Sequence, residues 1–209
     1  MQKLLDGIRD FHQNVRPAYR ERFAHLALGQ APDCLFIACS DSRVVPNLFA
    51  STDPGDLFVL RNVGNIVPPA DYRTDPASSA GAAVEFATLG LSVRDVVVCG
   101  HSSCGAMQAL LRHDLPAGSQ HLGRWLRHGE ASVTRLARET RLDRELPDFD
   151  RLSQAHVVQQ LDHLRGYPAV AERLAAGSLT LHAWWFDLHN AEVLRYDGER
   201  GTFRSLVEG

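Results

Sequence analysis

The sequence predicts an α/β fold, a central, mostly parallel sheet with helices on both faces, preceded by an N-terminal helical segment. Two observations predict it. The apolar runs Leu35-Phe36-Ile37-Ala38, Leu57-Phe58-Val59-Leu60 and Val96-Val97-Val98-Cys99 are continuous, as strands buried on both faces are. Turn residues and then a helical or small-residue segment follow them, so strand–turn–helix units repeat, the pattern of a parallel sheet. The 209 residues suit one domain spanning 1–209, with 44% hydrophobic and 22% charged residues in the range of a globular protein.

Leu4, Leu5, Ile8, Phe11, Val15 and Tyr19 fall near helical spacing and make an apolar stripe on a charged segment. That stripe suits either a helix packed on its own domain or an arm lying on a partner subunit. Pro32-Asp33 closes this region and Leu35–Cys39 is the first strand. Val44 to Phe49 is short and helical or irregular, Asp53-Pro54-Gly55-Asp56 is a turn, and Leu57–Arg61 is the second strand. Asn62 to Pro69 reads as a loop. Ser78 to Leu91, rich in Ala and Gly, predicts a helix packed closely on the sheet, and Val93–Cys99 the third strand. A helix opens at Cys104. His121 to Leu164 is helical and charge-laced, broken at Leu146-Pro147, and its arginines read as a solvated face. A helix over Pro168–Ala176, a fourth strand over Leu179–Leu188 and a hairpin partner over Ala191–Tyr196 complete the chain.

Composition excludes several functions. A net charge of -3 leaves no basic excess to displace counterions, so nucleic acid is not expected as a partner. No stretch is apolar enough to span a bilayer, and charges interrupt Met1 to Asp6 where a signal peptide would be apolar, so a cytoplasmic location is expected. The four cysteines then read as ligands or core residues in place of disulfides. Cys34 and Cys99, inside apolar runs, are assigned to the core.

The chemistry concentrates in two turns. Cys39-Ser40-Asp41-Ser42-Arg43 leaves the first strand, and Gly100-His101-Ser102-Ser103-Cys104-Gly105 leaves the third. Ligands bind beyond the carboxyl ends of parallel strands where strand order reverses, so adjacent strands would bring the two turns together. His101 and Cys104, three apart at a helix start, can face one side, and a helix N-terminus favours a thiolate. Cys39, His101 and Cys104 are zinc-type ligands, and three of them leave a fourth position open, as catalytic sites do. Asp41 and Arg43 are spaced for a bidentate ion pair that would hold the carboxylate off the metal.

These motifs, C-S-D-S-R at 39–43, R-N-x-G-N at 61–65 and H-S-S-C-G at 101–105, resemble a β-class carbonic anhydrase from about Leu35 to Gly105, with weaker agreement through Leu181 to Trp184. The resemblance implies Zn2+ on Cys39, His101 and Cys104, the Asp41–Arg43 dyad beside it, and reversible hydration of carbon dioxide to bicarbonate by zinc-bound hydroxide. It implies four parallel strands plus an antiparallel edge strand, and a homodimer or homotetramer whose subunits are embraced by an N-terminal arm, here residues 1–30. Phe36, Val44 and Val63 are candidates for an apolar wall. In one branch of the family a Trp, an Arg and a Tyr build a bicarbonate pocket; they align here with Phe36, Arg61 and Phe186, and only the Arg matches. The plant-like branch has a Gln where Asp53 aligns. Two other readings remain, a structural zinc protein with a fourth Cys or His ligand, and a zinc hydrolase of a related heterocumulene such as carbon disulfide. A zinc deaminase lacks its Glu beside His101, and a serine hydrolase lacks its G-x-S-x-G elbow.

Overall fold

The computed structural model describes residues 1–71, 78–139 and 141–207. Its sheet contains β1 (Cys34–Cys39), β2 (Leu57–Asn62), β3 (Asp95–His101), β4 (Thr180–Asp187), β5 (Glu192–Asp197) and β6 (Thr202–Ser205), in the spatial order β2-β1-β3-β4-β5-β6. The first four are mutually parallel and the last two antiparallel. β1 has a neighbour from later in the chain on each side, so strand order reverses beside it. Its register, Ala38 opposite Cys99 and Cys39 opposite Asn62, aligns the ends of β1, β2 and β3.

One strand goes beyond the sequence expectation. β5 is not the edge, because the chain turns at Gly201 (φ +70) and adds β6 outside it. Asp197 makes that turn by accepting the amides of Glu199 and Arg200. Four residues that include Arg204 are too short and too polar to show as an apolar run.

The helices are α1 (Gln2–Asp10), α2 (Arg16–Leu26), α3 (Pro46–Phe49), α4 (Ser79–Glu85), α5 (Gly105–Arg112), α6 (Gln120–Leu126), α7 (Glu130–Arg138), α8 (Asp148–Arg165) and α9 (Pro168–Ala175). The helix expected over 78–91 is α4, whose first turn Ser78 caps through Gly81 N, followed by a π-helical turn at Phe86–Gly90. A second π-helical turn, Phe11–Val15, joins α1 to α2.

Strand parity splits the core. Leu35, Ile37, Val96 and Val98 pack with Val84, Val157, Leu161 and Val170 from α4, α8 and α9. Phe36, Ala38, Val97 and Cys99 point the other way, onto Val44, Phe49 and Phe186. Beyond the carboxyl ends of the strands, Cys39, Ile66, Cys104 and Met107 pack with Leu110, Leu126 and Leu152. The N-terminal helices differ from all of this: no residue of 1–30 is buried. α2 is tied down through Tyr19 and Arg22, which donate to Asp53, and through Arg22 to Asp56 and the carbonyl of Pro54.

Candidate metal centre

β1 delivers Cys39 and β3 delivers His101 to the same end of the sheet, because the two strands are parallel neighbours in register. Past His101 the chain turns through Ser103 at φ +56, a conformation that L residues seldom adopt, and places Cys104 at the start of α5. Both sides of that residue are gripped: the carboxylate of Asp150 accepts the Ser103 amide at 2.6 Å, and Arg43 Nη2 donates to the Ser103 carbonyl at 3.1 Å. The ligand atoms of Cys39, His101 and Cys104 lie within 4.8 Å of one another, and all three residues are buried. Zinc at its usual 2.0–2.3 Å from sulfur and nitrogen needs ligand atoms roughly 3.6 Å apart, which fits this cluster.

A second observation supports a cation. His101 is fully buried; its Nδ1–H donates to the carbonyl of Ser102 at 2.8 Å, which fixes the tautomer and leaves a lone pair on Nε2. Among the described residues that Nε2 has no hydrogen-bond partner. A buried lone pair facing two sulfurs is costly unless a positive centre takes it.

The two thiols share one charge. Cys39 is pulled down, first by the hydrogen bond from Cys104 and then by the amides of Asp41 and Gly64. Cys104 is pushed up, by that same hydrogen bond and by burial, although the amides of Met107 and Ala106 favour its thiolate. The Gly64 amide donates to Cys39 Sγ at 3.4 Å.

The dyad adjoins this cluster. Arg43 donates to Asp41 three times, through its backbone amide (3.0 Å), Nε (2.9 Å) and Nη2 (2.7 Å), and these contacts hold the carboxyl well below the usual carboxylate range. Asp41 Oδ2 stands 3.9 Å from His101 Nε2, too far for a hydrogen bond. The structure thus brings all five residues singled out from the sequence to one place.

Other expectations need correction. Phe36 and Val44 do not share the apolar cluster of Cys39 and Cys104 but pack on the opposite face, where Phe36 meets Trp184 edge-on at 5.8 Å and Phe49 stacks on Phe186 at 4.7 Å. The apolar surroundings of the cluster come instead from Ile66, Met107, Leu110, Leu126 and Leu152. Arg61, the one residue of the bicarbonate pocket that matches, donates from Nε to the Cys39 carbonyl and from Nη2 to the Asp41 carbonyl, bracing the turn. Asp53 belongs to the anchor of α2. Cys34 and Cys99 lie outside the cluster, their thiols pushed up by burial, Cys34 to about 12.

Sequence reasoning placed a helix after the Leu146-Pro147 break, where α8 lies, but missed its buried polar face. Its residues Asp150, Ser153, His156, Gln160 and His163 are buried and reach the backbone of Ser103, His101, Gly64 and, from the last two, Val67. The available signal was a polar stripe at helical spacing inside a segment read only for its charges.

Comparison with known proteins agrees with this geometry. A family model described as carbonic anhydrase matches residues 34–193. The carbonic anhydrase of Pseudomonas aeruginosa is 42% identical over 212 residues, covering 100% of this chain and 93% of that protein. Among solved structures, the β-carbonic anhydrase CcaA superposes with a TM-score of 0.90 at 38% identity, covering 98% of both chains. One of two tetrameric β-carbonic anhydrases from Sordaria macrospora superposes at 0.69 with 31% identity, covering 93% and 92%. With its fold, its Cys-His-Cys cluster and these relatives in accord, the chain belongs to the β-class carbonic anhydrase family, whose metal is zinc.

Proposed function

We propose that this chain carries out the family's reaction, the reversible hydration of carbon dioxide to bicarbonate and a proton, on zinc held by Cys39, His101 and Cys104, with Asp41 and Arg43 as the accompanying dyad. The observation that carries the assignment is the buried, unpartnered Nε2 of His101 facing two thiols beside an arginine-held carboxylate. Bound there, zinc supplies a Lewis acid that lowers the pKa of a coordinated water.

The protein's own groups do the rest. Cys39 and Cys104 bind through sulfur and His101 through Nε2, its ring oriented by the Ser102 carbonyl. Arg43 engages both oxygens of Asp41 and keeps the carboxylate ionised, with Oδ2 beside the cluster 3.9 Å from His101 Nε2. From there Asp41 Oδ2 accepts a hydrogen bond from the attacking water and aims its lone pair at the carbon of carbon dioxide. Arg61 and Asp150 hold the two turns in register, so the distance from dyad to ligands stays fixed.

The assembly we propose is a homodimer or homotetramer, with residues 1–30 as an arm of a single 1–209 unit. Support comes from the stripe of Leu4, Leu5, Ile8, Phe11 and Val15, which stays largely exposed among the described residues. A cytoplasmic setting suits four unpaired cysteines; among the described residues no helix is long and apolar enough to cross a membrane.

Zinc analysis together with stopped-flow hydration of carbon dioxide tests the proposal. One zinc per chain with rapid hydration is expected. A zinc-loaded protein that leaves carbon dioxide unchanged but cleaves carbon disulfide would overturn it.

A further inference from the structure

The Gly64 amide beside Cys39 is flanked by peptide groups held by Trp125 and His156, which lie outside the Cys-His-Cys cluster and the Asp41–Arg43 dyad. Its peptide unit joins Val63 to Gly64, and the indole N–H of Trp125 donates to the Val63 carbonyl at 2.7 Å. In a trans peptide C=O and N–H point in opposite directions, so a donor on the carbonyl directs the N–H away from Trp125, and that N–H meets Cys39 Sγ at 3.4 Å. Hydrogen bonds chained through one peptide polarise one another, making the amide a stronger donor.

The next peptide is held from the opposite side. The Gly64 carbonyl, which can only accept, lies 2.9 Å from His156 Nε2, so that nitrogen carries a proton. Nδ1 must then accept, and it has a donor in the Ser132 hydroxyl at 2.8 Å and another in the Gln160 amide at 3.3 Å. The histidine is enclosed, 1% exposed, and burial lowers it to about 3, so it stays neutral in this tautomer. Residue 64 itself must be glycine: its φ is +82, and a Cβ there would stand 3.0 Å from the Cβ of Ala106.

We infer that Trp125 and His156 are positioning residues that clamp Gly64 so that its amide hydrogen-bonds the Cys39 thiolate and tunes it as a metal ligand. The inference rests on the reading of Cys39 as a ligand. Two anionic sulfurs donate charge to the metal and weaken it as a Lewis acid, whereas an N–H aimed at one of them draws charge back. Clamping both flanking peptides keeps that N–H from rotating away.

The test uses the zinc-loaded full chain and its cobalt-substituted form, with Trp125→Phe, His156→Leu, His156→Gln and Cys39→Ser. Trp125→Phe keeps an aromatic ring but loses the donor together with the pyrrole half of the indole; His156→Gln restores a donor toward Gly64. Zinc affinity is measured by chelator competition, and sulfur donation by the thiolate-to-cobalt absorption band. Trp125→Phe and His156→Leu are each expected to weaken zinc about tenfold, to shift the cobalt band and to move the pH midpoint of hydration upward. His156→Gln recovers most of the affinity. Unchanged affinity and an unshifted band in Trp125→Phe overturn the inference, even if His156→Leu fails to fold. His156→Gln behaving no better than a folded His156→Leu also overturns the role of His156. If the wild type takes up no zinc, or Cys39→Ser keeps it, the ligand reading falls and this inference with it; a wild type that binds with unaltered variants removes the inference alone.

Discussion

The carboxyl end of the sheet and the N-terminal helices solve opposite problems. At the sheet end, polar and ionisable groups are buried, and hydrogen bonds from elsewhere in the chain meet nearly all of them: Asp150 on Ser103, Ser153 on the His101 carbonyl, Arg61 on those of Cys39 and Asp41. In α1 and α2 apolar residues lie exposed, Leu4 at 66% and Ile8 at 64%, and the attachment to the rest of the chain is a few polar contacts at residues 53–56. A Cys-His-Cys cluster and dyad assembled from one chain should survive loss of assembly. A helix whose apolar face is uncovered in that chain should owe its packing to another copy.

The comparison is tested most severely at Cys104. Cys104→Ser removes a proposed ligand and should abolish zinc uptake and reduce hydration to background while leaving the sedimenting mass unchanged; metal analysis and ultracentrifugation read the two together. Asp41→Asn should keep its zinc yet hydrate carbon dioxide about 100-fold more slowly, since the amide cannot accept at both oxygens, and equal stopped-flow rates would remove Asp41 from the mechanism. On the other side, Leu4→Glu with Ile8→Glu should lower the sedimenting mass toward that of a single chain and leave zinc content untouched. Loss of zinc in that double variant would mean the two regions are not independent.

A smaller effect concerns acid. His156 is lowered to about 3 from 6.5 by burial, and His163 is lowered for the same reason. The unfolded chain therefore binds their protons first, so stability is full above about 6.5 and declines as the pH falls toward the folded values. Asp41 is also lowered, but its contribution persists until the pH drops below the ordinary carboxylate value of 3.8. Urea midpoints followed from pH 7 downward should fall less steeply in His156→Gln than in the wild type. The exposed pairs of Arg22 with Asp53 and Asp56 should add little to that slope.

Much of this was legible from local signals. Continuous apolar runs marked β1, β2 and β3, and the residues leaving β1 and β3 named the members of the Cys-His-Cys cluster, because reactive side chains at strand exits stand out against Gly and Ser. Some errors were avoidable. Phe36 is three residues from Cys39 on one strand, so alternation places it on the opposite face, and parity excluded it from the site's wall. Other features had no local signal. β6 is four residues closed by a turn, and the polar stripe of α8 reads as solvated until its neighbours are known.

By itself the sequence determined the sheet's parallel core, the identities of Cys39, His101 and Cys104, and the Asp41–Arg43 pair, since each depends on residues close together in the chain or on a donor chemistry few other residues offer. The tertiary structure alone decided how those groups are held: Gly64 meets His156 across 92 residues and Ser103 meets Asp150 across 47. The physical reason is that a hydrogen bond between distant segments exists only once packing has excluded water from both partners, and nothing in either segment's own pattern records which partner it will meet.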